Sequence, residues 1–388
     1  MTTLEPTGKA TEMLLDDGPA ARHADDAPDD TRPDRLGVHV AWEALLAVAF
    51  AGALFWLYRS GSPLSTTEGR DAVIVALIPL LLLATAACVT FRAGNVNLAG
   101  GAFAAMAAVL FAENTRNGVA IALLIAVGVV LIAGVVLAAL VVVLRTPGWL
   151  ASAGIAAVIL LWLHEHVTLA QLSTAPLGRL TTSSAWIWLI GVAALSIFAG
   201  VVSALNGPRH RFAACRRAAA DGPRDRATVW TTAAVLVGSS VLAGFAGVWV
   251  MWTAADGAAV ATGLDPATVT VFPVAAALLG GTSALGRRGG ILGTLLASLL
   301  LATVMLLAAT LAWPVSPLWI LLVAVGAGLV VTRVVETLGG PRTTAPAPAA
   351  PVTEPGQAPL PMRQPLGDRD YDATDIDPYR RHDLDTPR

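Results

Sequence analysis

Lysine, cysteine and charge are scarce in this sequence, and each shortage excludes a class of protein. Lys9 is the only lysine among 25 basic residues, so the chain has no phosphate-binding loop ending in Gly-Lys-Ser or Gly-Lys-Thr. Cys88 and Cys215 lie far apart, one in an apolar stretch and one in a basic loop, and predict neither a disulfide framework nor a metal site. Charged residues make up 13% of the chain and the formal net charge is −2, which predicts no nucleic-acid partner.

Apolar residues, in contrast, are abundant and clustered. They fill 55% of the 388 positions, the mean hydropathy is +0.68, and they gather in ten blocks, most of about 20 residues. A helix of that length spans the hydrocarbon core of a bilayer. We therefore expect an all-α, polytopic transmembrane helical bundle of about ten spans, three of them short. The blocks are 38–58, 72–91, 98–112, 118–144, 149–163, 185–205, 228–252, 271–285, 291–312 and 317–335.

The two ends of the chain have a different composition from the middle. Residues 1–36 carry nine acidic and four basic residues, which predicts a disordered acidic tail and no cleaved signal peptide. Residues 339–388 are proline-rich and then charged, which predicts a second disordered tail, either a docking segment or a solubilising one. The transmembrane domain is therefore expected to occupy residues 37–338.

Arginine placement predicts the orientation in the membrane. With a cytoplasmic N-terminus, the ten blocks put eleven arginines in inside loops and four in outside loops, in agreement with the positive-inside rule. Both tails are then cytoplasmic. The inside arginines are Arg92, Arg145, Arg209, Arg211, Arg216, Arg217, Arg224, Arg226, Arg287, Arg288 and Arg333, and the outside ones are Arg59, Arg70, Arg116 and Arg179.

The ionisable side chains of the membrane region lie at the edges of the apolar blocks or just outside them. Glu43, Asp71, Glu113 and Glu336 are examples, and none is expected near the bilayer midplane. Proton-coupled carriers and voltage sensors usually need such a residue, so the pattern argues against both. The consecutive residues 164–166, His-Glu-His, point in different directions on a helix, so we expect no metal ligands there and no bound cofactor.

Two glycine-rich stretches interrupt the apolar blocks, at 91–108 and 278–296. Broken helices free backbone groups that lipid cannot satisfy, so they are tolerated where they line a polar path or are buried in protein. Half-helices that meet near the midplane would form a solute path. The alternative is close helix packing without a path, through small residues four apart such as Ser240 and Gly244.

The most basic inside loop is residues 206–227. Its alanine-rich part, 213–220, favours a helix of about two turns that ends before Gly222 and Pro223. The loop is either a docking element for a soluble subunit or a topogenic basic loop that contacts nothing.

The second glycine-rich stretch, LGGTSALGRRGGILGT at 279–294, resembles the signature of membrane-spanning permeases of ABC importers for ribose-type sugars and branched-chain amino acids. The Thr-Ser pair is more similar to the sugar branch. NVNLAGGAF at 95–103 resembles the family's motif in the first half, and the alanine-rich helix before Asp221 and Gly222 resembles its cytoplasmic coupling segment. The resemblance covers about residues 40–336.

The resemblance implies a permease subunit for a small neutral polar solute, a monosaccharide in the first instance. Such a subunit would not itself be an enzyme, because a separate cytoplasmic ABC ATPase subunit would supply the energy. An extracellular solute-binding protein and a second permease subunit, identical or different, would be its other partners in the bacterial cell membrane, together with membrane lipid. Alternatives are a branched-chain amino-acid or nucleoside permease, a secondary carrier, or a membrane scaffold that transports nothing.

The resemblance also implies roles for three sets of residues. The substrate path would comprise Asn95, Asn97, Gly100, Gly101, Gly280, Gly281, Thr282 and Ser283. Coupling to the ATPase would involve Arg211, Arg216, Arg217, Asp221, Gly222, Arg224 and Arg226. The helix break would involve Gly286, Gly289, Gly290, Gly293 and Thr294.

Overall fold

The computed structural model describes residues 36–61, 63–166, 182–220, 222–253, 266–283 and 290–339, and all regular secondary structure in these ranges is helical. Two short 3-10 turns, Pro63–Ser65 and Thr115–Asn117, connect helices. The α-helices are α1 Leu36–Arg59, α2 Thr67–Arg92, α3 Gly100–Asn114, α4 Val119–Val142, α5 Gly148–His166, α6 Thr182–Ala204, α7 Asn206–Ala219, α8 Arg226–Thr253, α9 Pro266–Leu279, α10 Ile291–Thr310 and α11 Pro317–Gly339.

Each of the ten apolar blocks coincides with one of these helices, but fewer than ten are long enough to span a membrane. In the described ranges, seven helices are long and apolar enough: α1, α2, α4, α5, α8, α10 and α11. The number becomes eight if α6 and α7, which meet at a bend of 80°, count as one span. At 1.5 Å per residue, α3 with 15 residues and α9 with 14 fall short of a core of about 30 Å. Seven long apolar helices indicate a multi-pass membrane protein, while a count of ten spans stays a prediction.

The centre of the bundle is built from α2, α3 and α8. Nearly every residue of α3 is buried, including Phe103 and Phe111 at 0% exposure. Small residues let α8 approach its neighbours, since a methyl group added at Gly247 would collide with the carbonyl of Ala104, and Gly244 lies against Val130 of α4. The prediction that Ser240 and Gly244 permit close packing is confirmed, because a Cβ on Gly134 would lie 2.9 Å from the Cβ of Ser240.

The helices run between two ends of the bundle, and the arginines are unequally shared between these ends. One end, called here the basic end, holds α7, the C-terminal ends of α2 and α9 and the N-terminal end of α8. Arg92, Arg145 and the arginines of α7 and α8 lie there, whereas Arg59, Arg70 and Arg116 belong to turns at the opposite end. Which end faces the cytoplasm stays a prediction.

Candidate functional site: two helix breaks and a basic helix

The first break, residues 93–99, begins where α2 ends in a Schellman motif. Gly94 has φ +71°, its N–H donates to the Phe91 carbonyl at 2.9 Å, and the Asn95 N–H donates to the Thr90 carbonyl at 3.0 Å. Only glycine adopts this conformation without strain. A side chain at Gly94 would also lie 3.1 Å from the Cα of Arg216 in α7. The break therefore places the C-terminal end of α2 directly against α7.

The polar side chains of the first break form hydrogen bonds with groups of the break itself and with α8. Asn95 is buried and its Nδ2 donates to the Ala93 carbonyl at 3.1 Å. Asn97 Nδ2 donates to Ser239 Oγ of α8 at 3.0 Å, while its Oδ1 accepts from the Ala99 N–H at 3.0 Å. Both predicted path residues are thus hydrogen-bonded within the protein.

Residues on either side of these asparagines complete the first break. Ser152 of α5 accepts the Leu98 N–H at 3.0 Å, which fixes α5 against the unwound segment. Gly100 and Gly101, the other predicted path residues of this half, form the first turn of α3, and Gly101 is buried. All four predicted residues therefore lie together at the basic end.

The second break begins in the same way, at the end of α9. Gly281 has φ +82°, its N–H donates to the Leu278 carbonyl at 3.0 Å, and the Thr282 N–H donates to the Ala277 carbonyl at 2.9 Å. Gly280 is packed against the first turn of α10, so that an added Cβ would lie 2.6 Å from the Cα of Thr294. The backbones on the two sides of the break are therefore in direct contact.

The hydroxyl groups of the second break are brought together and buried. Thr282 and Thr294 are 0% exposed, Ser283 is 1% exposed, and the two threonine oxygens lie 3.3 Å apart. Gly290 is the N-cap of α10 and Gly293 contacts the Gly280 carbonyl. Gly286 and Gly289 lie outside the described residues.

The two breaks lie side by side because α2 and α9 pack along each other. Ala87 and Phe91 of α2 share an apolar cluster with Ala277 and Leu278 of α9. Cys88 Sγ of α2 lies 3.5 Å from Thr282 Oγ1. The sequence suggested breaks near the middle of a span. Because α2 is 26 residues long and the first break follows its last residue, this break lies instead at an end of the bundle.

Helix α1 contacts the second break through two residues that the sequence did not identify as part of a site. Trp42 Nε1 donates to the Leu279 carbonyl at 2.9 Å, across 237 positions of sequence. Glu43 Oε1 lies 3.5 Å from where a Cβ on Gly293 would stand. The sequence placed Glu43 only at a block edge, and no local pattern indicated that Trp42 and Glu43 would contact the same segment.

Helix α7 is an amphipathic rod attached to the basic end. Ala213, Cys215 and Ala218 are buried on one face, while Arg211 and Arg217 are exposed on the other. The prediction of a short helix in this loop is confirmed, although the helix starts earlier, at Asn206.

The remaining arginines of this region differ in what they contact. Arg216 Nη1 donates to the Arg92 carbonyl at 3.3 Å. Arg224 donates to the Ala218 carbonyl of α7 and to the Val141 carbonyl of α4, at 3.3 and 3.1 Å, so it fastens two helix C-termini together. Arg226 is exposed at the start of α8, and Asp221 lies outside the described residues.

Gly222 and Asp225 organise the connection from α7 to α8. The Gly222 N–H donates to the Arg217 carbonyl at 2.8 Å, and a Cβ on Gly222 would lie 2.5 Å from that oxygen. Asp225 Oδ1 accepts the Thr228 N–H at 2.8 Å and caps α8. Hydrogen bonds from the Thr228 side chain and backbone lower the pKa of the Asp225 carboxyl below its usual range.

Comparisons with known proteins gave no relative. No family profile, no curated protein and no solved structure matches the chain. The resemblance to ABC permeases therefore stays a prediction that rests on short sequence motifs.

Proposed function

We propose that the chain is the membrane-spanning permease subunit of an ABC importer for a small neutral polar solute, most simply a monosaccharide. The two breaks provide the moving parts of the path, and α7 receives force from a separate ATPase subunit. The path residues offered by the breaks are asparagine, threonine, serine and glycine, whose uncharged groups favour a neutral polar solute.

The observation that carries the proposal is the attachment of α7 to the first break. Arg216 is bonded to the Arg92 carbonyl and packs on Gly94, and Arg224 joins the end of α7 to α4. A displacement of α7 is therefore transmitted to the point where α2 unwinds. The exposed face, with Arg211 and Arg217, remains accessible to a soluble partner.

The test separates exposed arginines from those that hold the fold. We expect the double change Arg211→Glu and Arg217→Glu to reduce ATP-driven uptake on the order of tenfold or more, because charge reversal at an interface is costly. The control is Arg59→Glu with Arg116→Glu, two exposed arginines at the opposite end. Arg216 and Arg224 are unsuitable, because their substitution would release helix ends.

Uptake would be measured in proteoliposomes that contain the full chain, a second permease subunit, the ATPase subunit and the solute-binding protein, for which the proposal predicts neighbouring genes. Equal uptake by the double variant and the control would remove the docking role of α7. Uptake without ATP or without the ATPase subunit would contradict the proposal as a whole.

A second candidate, a proton-coupled carrier, is favoured by one observation. The Glu43 carboxylate lies at the second break, beside Gly293, so a titratable group does adjoin the proposed path. For this candidate, an imposed pH gradient drives uptake into liposomes that contain the chain alone, and Glu43→Gln abolishes it. Uptake that ignores the pH gradient would reject this candidate.

A further inference from the structure

Helix α1 is a peripheral helix that brings two polar side chains, Trp42 and Glu43, to the second break. Only 11% of its spanning segment is buried, against 61% for α2 and 56% for α10. Leu46 and Leu57 are its buried apolar residues. Most of the α1 surface therefore contributes little to the core, and its specific contacts with the rest of the chain include those of Trp42 and Glu43.

The contact of Trp42 satisfies a carbonyl that the end of α9 leaves over. The Schellman motif uses the carbonyls of Ala277 and Leu278, and the Leu279 carbonyl receives the indole N–H at 2.9 Å. A partly buried carbonyl that loses its donor is destabilising. Departure of α1 therefore leaves the break less stable in its packed form.

The contact of Glu43 acts on the other side of the same break. Gly293 is in the first turn of α10, where the helix dipole favours a negative charge. Trp42 and Glu43 are adjacent in sequence, so one turn of α1 contacts both the end of α9 and the start of α10. The packing of Gly280 on Gly293 lies between these two contacts.

We propose that α1 is a latch for the second break, with Trp42 and Glu43 as its positioning residues. While both contacts are in place, Gly280 stays packed on α10 and the hydroxyls of Thr282 and Thr294 stay buried. Separation of these backbones requires α1 to release the Leu279 carbonyl. The importance of this step for solute passage rests on the proposed transport function, whereas the latch itself is a property of the chain.

The native cysteines report on the latch without any transport assay. Cys88 is 0% exposed and lies 3.5 Å from Thr282, and Cys215 is 0% exposed on the buried face of α7. The full chain in lipid nanodiscs is treated with N-ethylmaleimide, and the labelling rate of each cysteine is followed by mass spectrometry. We expect Trp42→Phe to raise the Cys88 rate roughly five- to tenfold, since one partly buried hydrogen bond is lost. The Cys215 rate is expected to stay at the wild-type value.

Trp56→Phe is the matched control, because Trp56 is 54% exposed on the same helix and is expected to change neither rate. Glu43→Gln provides a second, smaller perturbation that raises the Cys88 rate alone, and it serves if Trp42→Phe fails to fold. An unchanged Cys88 rate in the folded variants would overturn the latch. Equal rises at Cys88 and Cys215 would also overturn it, since they indicate general loosening. Neither result depends on an ATPase or a solute, so failure of the latch is separable from failure of the transport proposal.

Discussion

Two tryptophan side chains in this protein donate hydrogen bonds to backbone carbonyls that lack a donor within their own helix. Pro79 lies within α2 and lacks the N–H that would bond the Val75 carbonyl. Trp249 of α8 supplies a donor instead, with Nε1 at 3.0 Å from that oxygen. Trp42 does the same for Leu279 at the end of α9. Both tryptophans thus combine a large apolar surface with one directed hydrogen bond.

Trp249→Phe is expected to lower the free energy of unfolding by about 1 kcal/mol, because it leaves a partly buried carbonyl without its donor. Pro79→Ala restores an N–H within α2, so the same change should cost clearly less in that background. Trp230→Phe, at a 73% exposed position of α8, is the control. Denaturant titration of the detergent-solubilised protein measures all four variants, and equal costs in both backgrounds would refute the pairing.

Asp225 predicts a pH dependence at the start of α8. Its pKa is lowered in the folded protein, so the cap contributes above the unfolded pKa of about 3.9 and is lost as pH falls through the folded value. Amide hydrogen exchange of Thr228 should therefore lose protection on acidification below about pH 4, beyond the intrinsic pH effect on exchange. In Asp225→Asn, where the amide caps without titrating, protection should not show this loss.

Helices in this protein pack closely where small residues meet, and the sequence indicates only some of these positions. Ser240 and Gly244 were recognised as a small-residue pair, but Gly247, which contacts the Ala104 carbonyl most closely, was not. Glycine spacing alone does not reveal which face meets another backbone. Of the α8 glycines, Gly238 has no atom within 4 Å of an added Cβ, so it faces away from the contact.

This contrast gives a matched pair on one helix. Gly247→Ala is expected to destabilise the protein by on the order of 1–3 kcal/mol, because its methyl group would overlap a backbone carbonyl. Gly238→Ala should be neutral or stabilising by up to about 1 kcal/mol, since alanine is the better helix former. Thermal unfolding in detergent distinguishes the two, and equal melting temperatures would contradict the described α3–α8 contact.

At the scale of the whole bundle, the arginines in the described part of the chain are separated between two ends, and this separation yields a test of orientation. The native cysteines are buried, so bulky thiol reagents are expected to label the wild-type chain only slowly. Cysteines introduced at Ala219, exposed on α7, and at Asn117, exposed in the turn after α3, would report the two ends. With the predicted orientation, a membrane-impermeant maleimide labels Asn117→Cys in intact cells and Ala219→Cys only after permeabilisation. Labelling of both from one side would show that the two ends are not on opposite faces.

The sequence alone determined the membrane class, the ten helical segments and the two places where the chain breaks. These features are local, because block length sets the span and glycine sets the backbone angles at Gly94 and Gly281. Only the tertiary structure decided that Asn97 bonds Ser239, that Arg224 fastens α4 to α7, and that α1 contacts the second break. Their partners lie 83 to 237 positions away along the chain, and a local pattern carries no information about which distant carbonyl or hydroxyl will need a donor.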